Sequence, residues 1–181
     1  MPQDRFLRFA THGPFQLKDG TELSFKARIK ELVHRFDEDR PGLSKAMGVY
    51  VIAVVKDSKL TPWYVGKTRK GFGRRLGEHG SLFRRLAEEA NCEIFEIFLL
   101  PRMQTKRDQF RKSSGLMPSL EYLETRLIGA CLVLNESLIN AQKTSNERHL
   151  EVPGYIHDRS LKLDKSARQF RKMLRQRSNH E

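Results

Sequence analysis

The chain has 181 residues, with 34 Lys and Arg against 22 Asp and Glu, a formal net charge of +12 and 38% hydrophobic residues. That suits a single domain with one core and a large polar surface. A membrane span is excluded, since no run approaches the roughly 18 apolar residues it needs, and two cysteines exclude a disulfide framework.

Met1-Pro2-Gln3-Asp4-Arg5 lacks the apolar stretch and small-residue cleavage site of a signal peptide. Cys92 and Cys131 sit among apolar neighbours, so reduced core thiols and a cytoplasmic location are expected. A sequence pI near 10.0 suggests a polyanionic partner. Nucleic acid is the leading candidate, because neutralising phosphates releases counterions. A basic surface kept for solubility would have the same composition.

In chain order, residues 1–46 read as an N-terminal extension. Asp19-Gly20 suggests a turn, and Phe25, Ile29, Leu32 and Val33 form a helical stripe. The strongest strand signal is the β-branched run 49–55, opened by Gly48. Asp57-Ser58-Lys59 turns the chain into a second antiparallel strand, 62–66. Residues 72–90 read as one helix with a break at Gly80. A third strand, 92–100, carries Ile94, Phe95, Ile97 and Phe98 and stops at Pro101. Residues 102–116 are a basic loop. Leu120, Leu123, Leu127, Cys131 and Leu134 then form the core stripe of a helix opened by Pro118-Ser119. A coil with Asn135, Asn140 and Asn146 follows, and a basic helix over 164–177 closes the chain. The expected fold is α+β: a small central antiparallel three-stranded sheet flanked by helices, with helical extensions at both ends. The expected boundaries are 1–46 for the N-terminal extension, 47–146 for the central domain and 147–181 for a basic C-terminal extension.

Two phosphate motifs fail. Gly66-Lys67-Thr68 resembles the end of a P-loop, but Thr61 stands where its first glycine belongs. Gly71-Phe72-Gly73 starts a dinucleotide fingerprint, but Leu76 takes the third glycine position. The histidines show no HExxH and the cysteines no CxxC, so a structural zinc site is not expected.

An ordered set of residues remains. Gly48-Val49-Tyr50 opens the first strand, Tyr64-Val65-Gly66 closes the second, and Lys67 follows. Arg75 and His79 come next, four residues apart and so on one face of the expected helix. Glu124 lies on the later helix, and Asn140 follows Leu138-Ile139. In this order the residues resemble the GIY-YIG endonuclease family, whose signature is a GIY-like and a YIG-like tripeptide, Arg-x3-His or Tyr, a helical Glu and a downstream Asn. The match runs from Gly48 to about Asn140, roughly half the chain.

The resemblance implies a Mg²⁺-dependent endonuclease, with Mn²⁺ as an alternative metal, that cuts DNA phosphodiesters; RNA stays open. It implies that Tyr50 and Tyr64 line the site and that one helps activate the attacking water. A phenol with a pKa of roughly 10 needs help from cations or metal-bound water to do so. By themselves the two tyrosines also fit half-buried strand aromatics. Arg75 would fork onto phosphate oxygens and stabilise the transition state. Lys67 and His79 would assist near the water. Glu124 would bind the metal, since a hard cation such as Mg²⁺ needs only one or two carboxylates. The pattern Glu124-Thr125-Arg126-Leu127-Ile128 favours Glu124 over Glu121, and Leu138-Ile139-Asn140 favours Asn140 over Asn135. Lys67, Arg69, Lys70 and Arg74 form a candidate phosphate track, joined by Arg102, Lys106, Arg107, Arg111 and Lys112 in the loop and by Arg168, Arg171, Lys172 and Arg175 in the last helix. The rival reading is a module of the same fold that binds nucleic acid without cutting it. The oligomeric state is not legible.

Overall fold

The computed structural model describes residues 8–18, 24–56, 59–104, 109–111 and 118–140. The elements run β1 (His12–Lys18), α1 (Phe25–Asp39), a 3-10 turn (Leu43–Lys45), β2 (Gly48–Lys56), β3 (Lys59–Thr68), α2 (Phe72–Gly77), α3 (Gly80–Ala90), β4 (Ile94–Pro101) and α4 (Pro118–Leu134). The architecture is α+β, and the strand pairings are antiparallel. The sheet has four strands, in the order β1-β4-β2-β3, and not the expected three.

The additional strand is β1. Phe15 and Leu17 turn inward while Gln16 and Lys18 turn outward, pairing with β4 through Phe15–Ile97 and Leu17–Phe95. Two inward residues behind Gly13-Pro14 are too short a period-two signal to read as a strand. Proline is tolerated because β1 is an edge. That edge is covered by α1: Arg35 donates to the Gln16 carbonyl at 2.6 Å and Arg28 to the Lys18 carbonyl at 2.7 Å. Residues before 47 therefore build part of the sheet and core. The expected C-terminal extension, 147–181, lies outside the described residues.

Helix α1 starts where Ser24 Oγ accepts the Ala27 N–H at 3.3 Å, which satisfies one orphan donor of the first turn. Its buried residues Ile29, Leu32 and Phe36 follow helical spacing. The helical pattern over 72–90 divides into α2 and α3, with Glu78 capping the first and His79 preceding the second. The break precedes Gly80, because His79 turns its ring inward.

Strand β2 lies between β3 and β4 and is buried on both faces, which explains its unbroken apolar run. On one face Tyr50, Ile52 and Val54 join Leu32, Phe36, Phe72, Leu76, Phe83 and Leu86 of the first three helices. On the other, Met47, Val49 and Val65 meet Leu120, Ile128 and Cys131 of α4. The buried stripe of α4 is Leu120, Glu124, Ile128, Cys131 and Leu132. It is turned from the expected one: Leu134 is 71% exposed, and Leu123 and Leu127 are only partly buried. Apolar residues surround most of this helix, so periodicity alone does not fix which face turns in.

Both cysteines are free thiols. Burial pushes the Cys131 thiol up in pKa, and Cys92 Sγ donates to the Val55 carbonyl at 3.1 Å. Among the described residues no helix is long and apolar enough to cross a membrane.

Candidate active site

The two glycines of the paired tripeptides are needed for close approach. Gly66 pairs with Tyr50 across β2 and β3, and a Cβ at Gly66 would lie 2.5 Å from the Tyr50 ring and hydroxyl. A Cβ at Gly48 would strike the Leu100 carbonyl and lie 2.6 Å from Phe72. Without those side chains, Tyr50 lies over Gly66 beside Tyr64, with ring centroids 6.1 Å apart. The chain then turns sharply after β3. Thr68 Oγ1 donates to the Gly71 carbonyl and accepts from the Lys70 N–H, each at 3.1 Å. Gly71 takes a φ of 100°, which favours glycine, and α2 follows.

This turn carries Arg75 and His79 back to the tyrosines. Tyr50 Oη and His79 Nε2 are 2.5 Å apart and buried. The His79 ring centroid lies 5.7 Å from that of Tyr64. Burial, with the Arg75 charge beside it, pushes the His79 imidazole down to about 4, so it is neutral at pH 7. Burial, with Tyr64 adding to it, pushes the Tyr50 phenol well above its ordinary value. Tyr50 therefore stays protonated and is a poor base, suited to orienting His79. Tyr64 is only partly buried and can reach solvent. The Arg75 guanidinium faces both phenols; its Nε is buried and has no partner among the described residues. An unsatisfied guanidinium N–H beside a half-exposed head group favours an anion.

The other side chains gather on the opposite face of β3. Successive strand residues alternate in direction, so Gly66 faces Tyr50 while Lys67 faces α4. Lys67 Nζ donates to Glu124 Oε2 at 2.8 Å and also to Glu121 Oε2. Arg69 Nη2 meets Glu121 Oε1 at 3.4 Å. The Glu124 side chain is 6% exposed and that of Glu121 is 50% exposed. Glu121, the rival to Glu124 in the sequence, holds two of the candidate phosphate-binding cations. No local sequence signal shows this, because it depends on where β3 ends relative to α4.

Asn140 does not point into either group. Its Oδ1 accepts the Val65 N–H at 3.2 Å and its Nδ2 donates to the Val65 carbonyl. The Ile139 N–H reaches the Trp63 carbonyl at 3.0 Å, and Asn135 Nδ2 the Pro62 carbonyl at 2.9 Å. Both asparagines thus clamp the outer edge of β3. Strand β3 is the outermost strand on this side, so the tyrosine group and the carboxylate group flank one sheet edge.

No protein-family model matches the chain, and no curated protein or solved structure does. The site thus stands on its own residues. Lys70 and Arg74 are exposed near Arg75, with Arg74 Nε bonded to Glu78 at 3.2 Å. Arg102 departs from the expected surface role. It is 7% exposed, and its guanidinium donates to Ser119 Oγ at 2.8 Å, tying the end of β4 to the start of α4. Arg111 is partly buried, and its N–H donates to the Arg102 carbonyl at 2.8 Å. Lys106, Arg107, Lys112, Arg168, Arg171, Lys172 and Arg175 lie outside the described residues.

The Glu124 and Glu121 carboxylates are the oxygen donors that a divalent metal would use here. The inward carboxylate is already balanced by a cation, the Lys67 ammonium, and a second carboxylate reaches the same ammonium. Hard oxygen donors of this kind suit Mg²⁺, which keeps most of its waters. Among the described residues, no group of three or more His, Cys, Asp or Glu side chains that could hold a metal ion is present.

Proposed function

We propose that this chain is a metal-dependent endonuclease of the GIY-YIG type that hydrolyses DNA phosphodiester bonds. One observation carries the reading. Tyr50, Tyr64, Arg75 and His79 come from three separate segments into one cluster, while the next residue after Gly66 delivers Lys67 to the buried Glu124. A packing-only role for the cluster would not require a charged guanidinium facing two phenols.

Arg75 binds and stabilises the charged phosphoryl oxygens through its planar fork of donors. Tyr64, partly open to solvent, orients the attacking water, and the water's proton passes to bulk solvent as its oxygen bonds to phosphorus. Tyr50 and His79 are both neutral and hydrogen-bonded, and they hold the ring of Tyr64 and the head of Arg75 in place. Glu124 would hold Mg²⁺ or Mn²⁺, with Lys67 beside it. Such an ion, when bound, would supply Lewis-acid stabilisation of the developing charge. Asn140 is a positioning residue that acts through β3.

A nicking assay on supercoiled plasmid tests this, with duplex, branched and single-stranded DNA run in parallel. The expected result is cleavage that needs Mg²⁺ or Mn²⁺ and stops with chelator. Binding without cleavage in either metal, on every substrate, would instead support a nucleic-acid-binding module.

A further inference from the structure

Glu121 stands where a ligand would. Its two carboxylate oxygens divide between Lys67 Nζ and the Arg69 guanidinium, a point charge and a planar fork. Such a pair of cations suits two oxygens of a phosphodiester as well as those of a carboxylate. Glu121 is half exposed and can swing into water. Lys67 cannot follow it, because the buried Glu124 carboxylate holds its ammonium from the other side at 2.8 Å. The Lys67 half of the seat therefore stays in place when Glu121 leaves.

We propose that Lys67 and Arg69 form a seat for a backbone phosphate, and that Glu121 fills this seat in the free protein as an internal anion which the phosphate displaces. The identity of the phosphate as part of a nucleic acid rests on the function proposed above; the seat itself rests on the geometry of Lys67, Arg69 and Glu121. Displacement has a consequence for salt dependence. Normally a phosphate that meets a protein cation gives up its counterion to solution. Here the displaced Glu121 carboxylate remains close by and retains one. The contact therefore adds affinity with little salt dependence, and Glu121 sets a threshold that weak anions do not cross.

The test measures binding of a short duplex DNA by fluorescence anisotropy in EDTA, over a series of KCl concentrations. Glu121→Gln keeps the shape and removes the charge. It should bind about fivefold tighter at low salt, the factor that a half-exposed ion pair supports. The slope of log K against log salt should steepen by about 0.9, one released counterion. Adding Lys67→Met or Arg69→Met to that variant should reverse the steepening. Glu89→Gln is the net-charge control, since Glu89 pairs with Arg85 on α3 and removes the same charge elsewhere. An unchanged slope in Glu121→Gln, or an equal change in Glu89→Gln, overturns the proposal. Titration with inorganic pyrophosphate by calorimetry separates the two readings. If neither wild type nor Glu121→Gln binds DNA, the nuclease reading fails. Pyrophosphate binding to Glu121→Gln and not to wild type then still supports the seat, and no binding to either overturns it.

Discussion

The two faces of β3 are built on opposite physical terms. On one, Tyr50, Tyr64, Arg75 and His79 sit in an apolar setting, where burial holds Tyr50 and His79 neutral at pH 7. On the other, Lys67, Arg69, Glu121 and Glu124 are joined by ion pairs. The first face is fixed by packing and should respond to volume and pH. The second is fixed by charge and should respond to salt and metal. The backbone from Tyr64 to Lys67 joins them, so the alternation of this strand sets which of its residues serves which group.

The largest effect on the packed face is expected from Gly66→Ala. The added methyl would lie 2.5 Å from the Tyr50 ring, which is fully buried and cannot retreat. Such overpacking should cost about 3 kcal/mol or more. Chemical denaturation would show it, and a stability equal to wild type would mean that Tyr50 does not lie across Gly66.

Acid comes next. The unfolded chain protonates His79 near 6.5, while the folded protein resists until about 4. The unfolded state therefore binds the additional proton between those values. Stability from this group is complete above about 6.5 and is lost as pH falls toward 4, by roughly 3 kcal/mol in all. Urea unfolding at a series of pH values should show the decline, and His79→Gln should flatten it. Equal declines in both proteins would place the acid sensitivity elsewhere.

Asn140→Ala tests the strand that the two faces share. It removes both bonds to the Val65 peptide and leaves polar backbone at the edge of β3. The expected cost is about 2 kcal/mol. Amide hydrogen exchange should quicken at Val65 before it does at Val51 in the middle of the sheet. Uniform exchange along β2 and β3 would deny the clamp.

The smallest effect belongs to Arg74→Ala. Its side chain is 63% exposed and pairs with Glu78 one turn away. Stability should change by about 0.5 kcal/mol or less, while DNA affinity falls and its salt slope drops by about 0.9. Lost stability with unaltered binding would reverse the roles assigned to Arg74 and Arg75.

How far the sequence reaches follows the same division. The hairpin of β2 and β3 is legible because its glycines, tyrosines and β-branched residues act locally. Helix α4 is legible as a helix, but its inward face is not, since Glu124 turns in toward Lys67 and displaces the purely apolar stripe. Strand β1 escapes because only Phe15 and Leu17 turn inward. The break at Gly80 is legible, but its cause is not, because only the contact with Tyr50 shows why His79 turns in. Glu121 is hidden for a related reason: an exposed helix glutamate looks the same whether it meets water or two cations from a distant strand. Burial of Arg102 is equally unreadable in a run of basic residues, because Ser119 lies on another element.

The central claim is that the two faces of β3 act as one site. Single-turnover cleavage of saturating plasmid DNA in Mg²⁺ should be compared for wild type, Arg75→Ala, Glu124→Gln and the double variant. One shared site predicts strong non-additivity: each single change should abolish almost as much rate as both together. A double variant whose loss equals the product of the two single losses would contradict the claim, as would a single variant that cleaves at the wild-type rate.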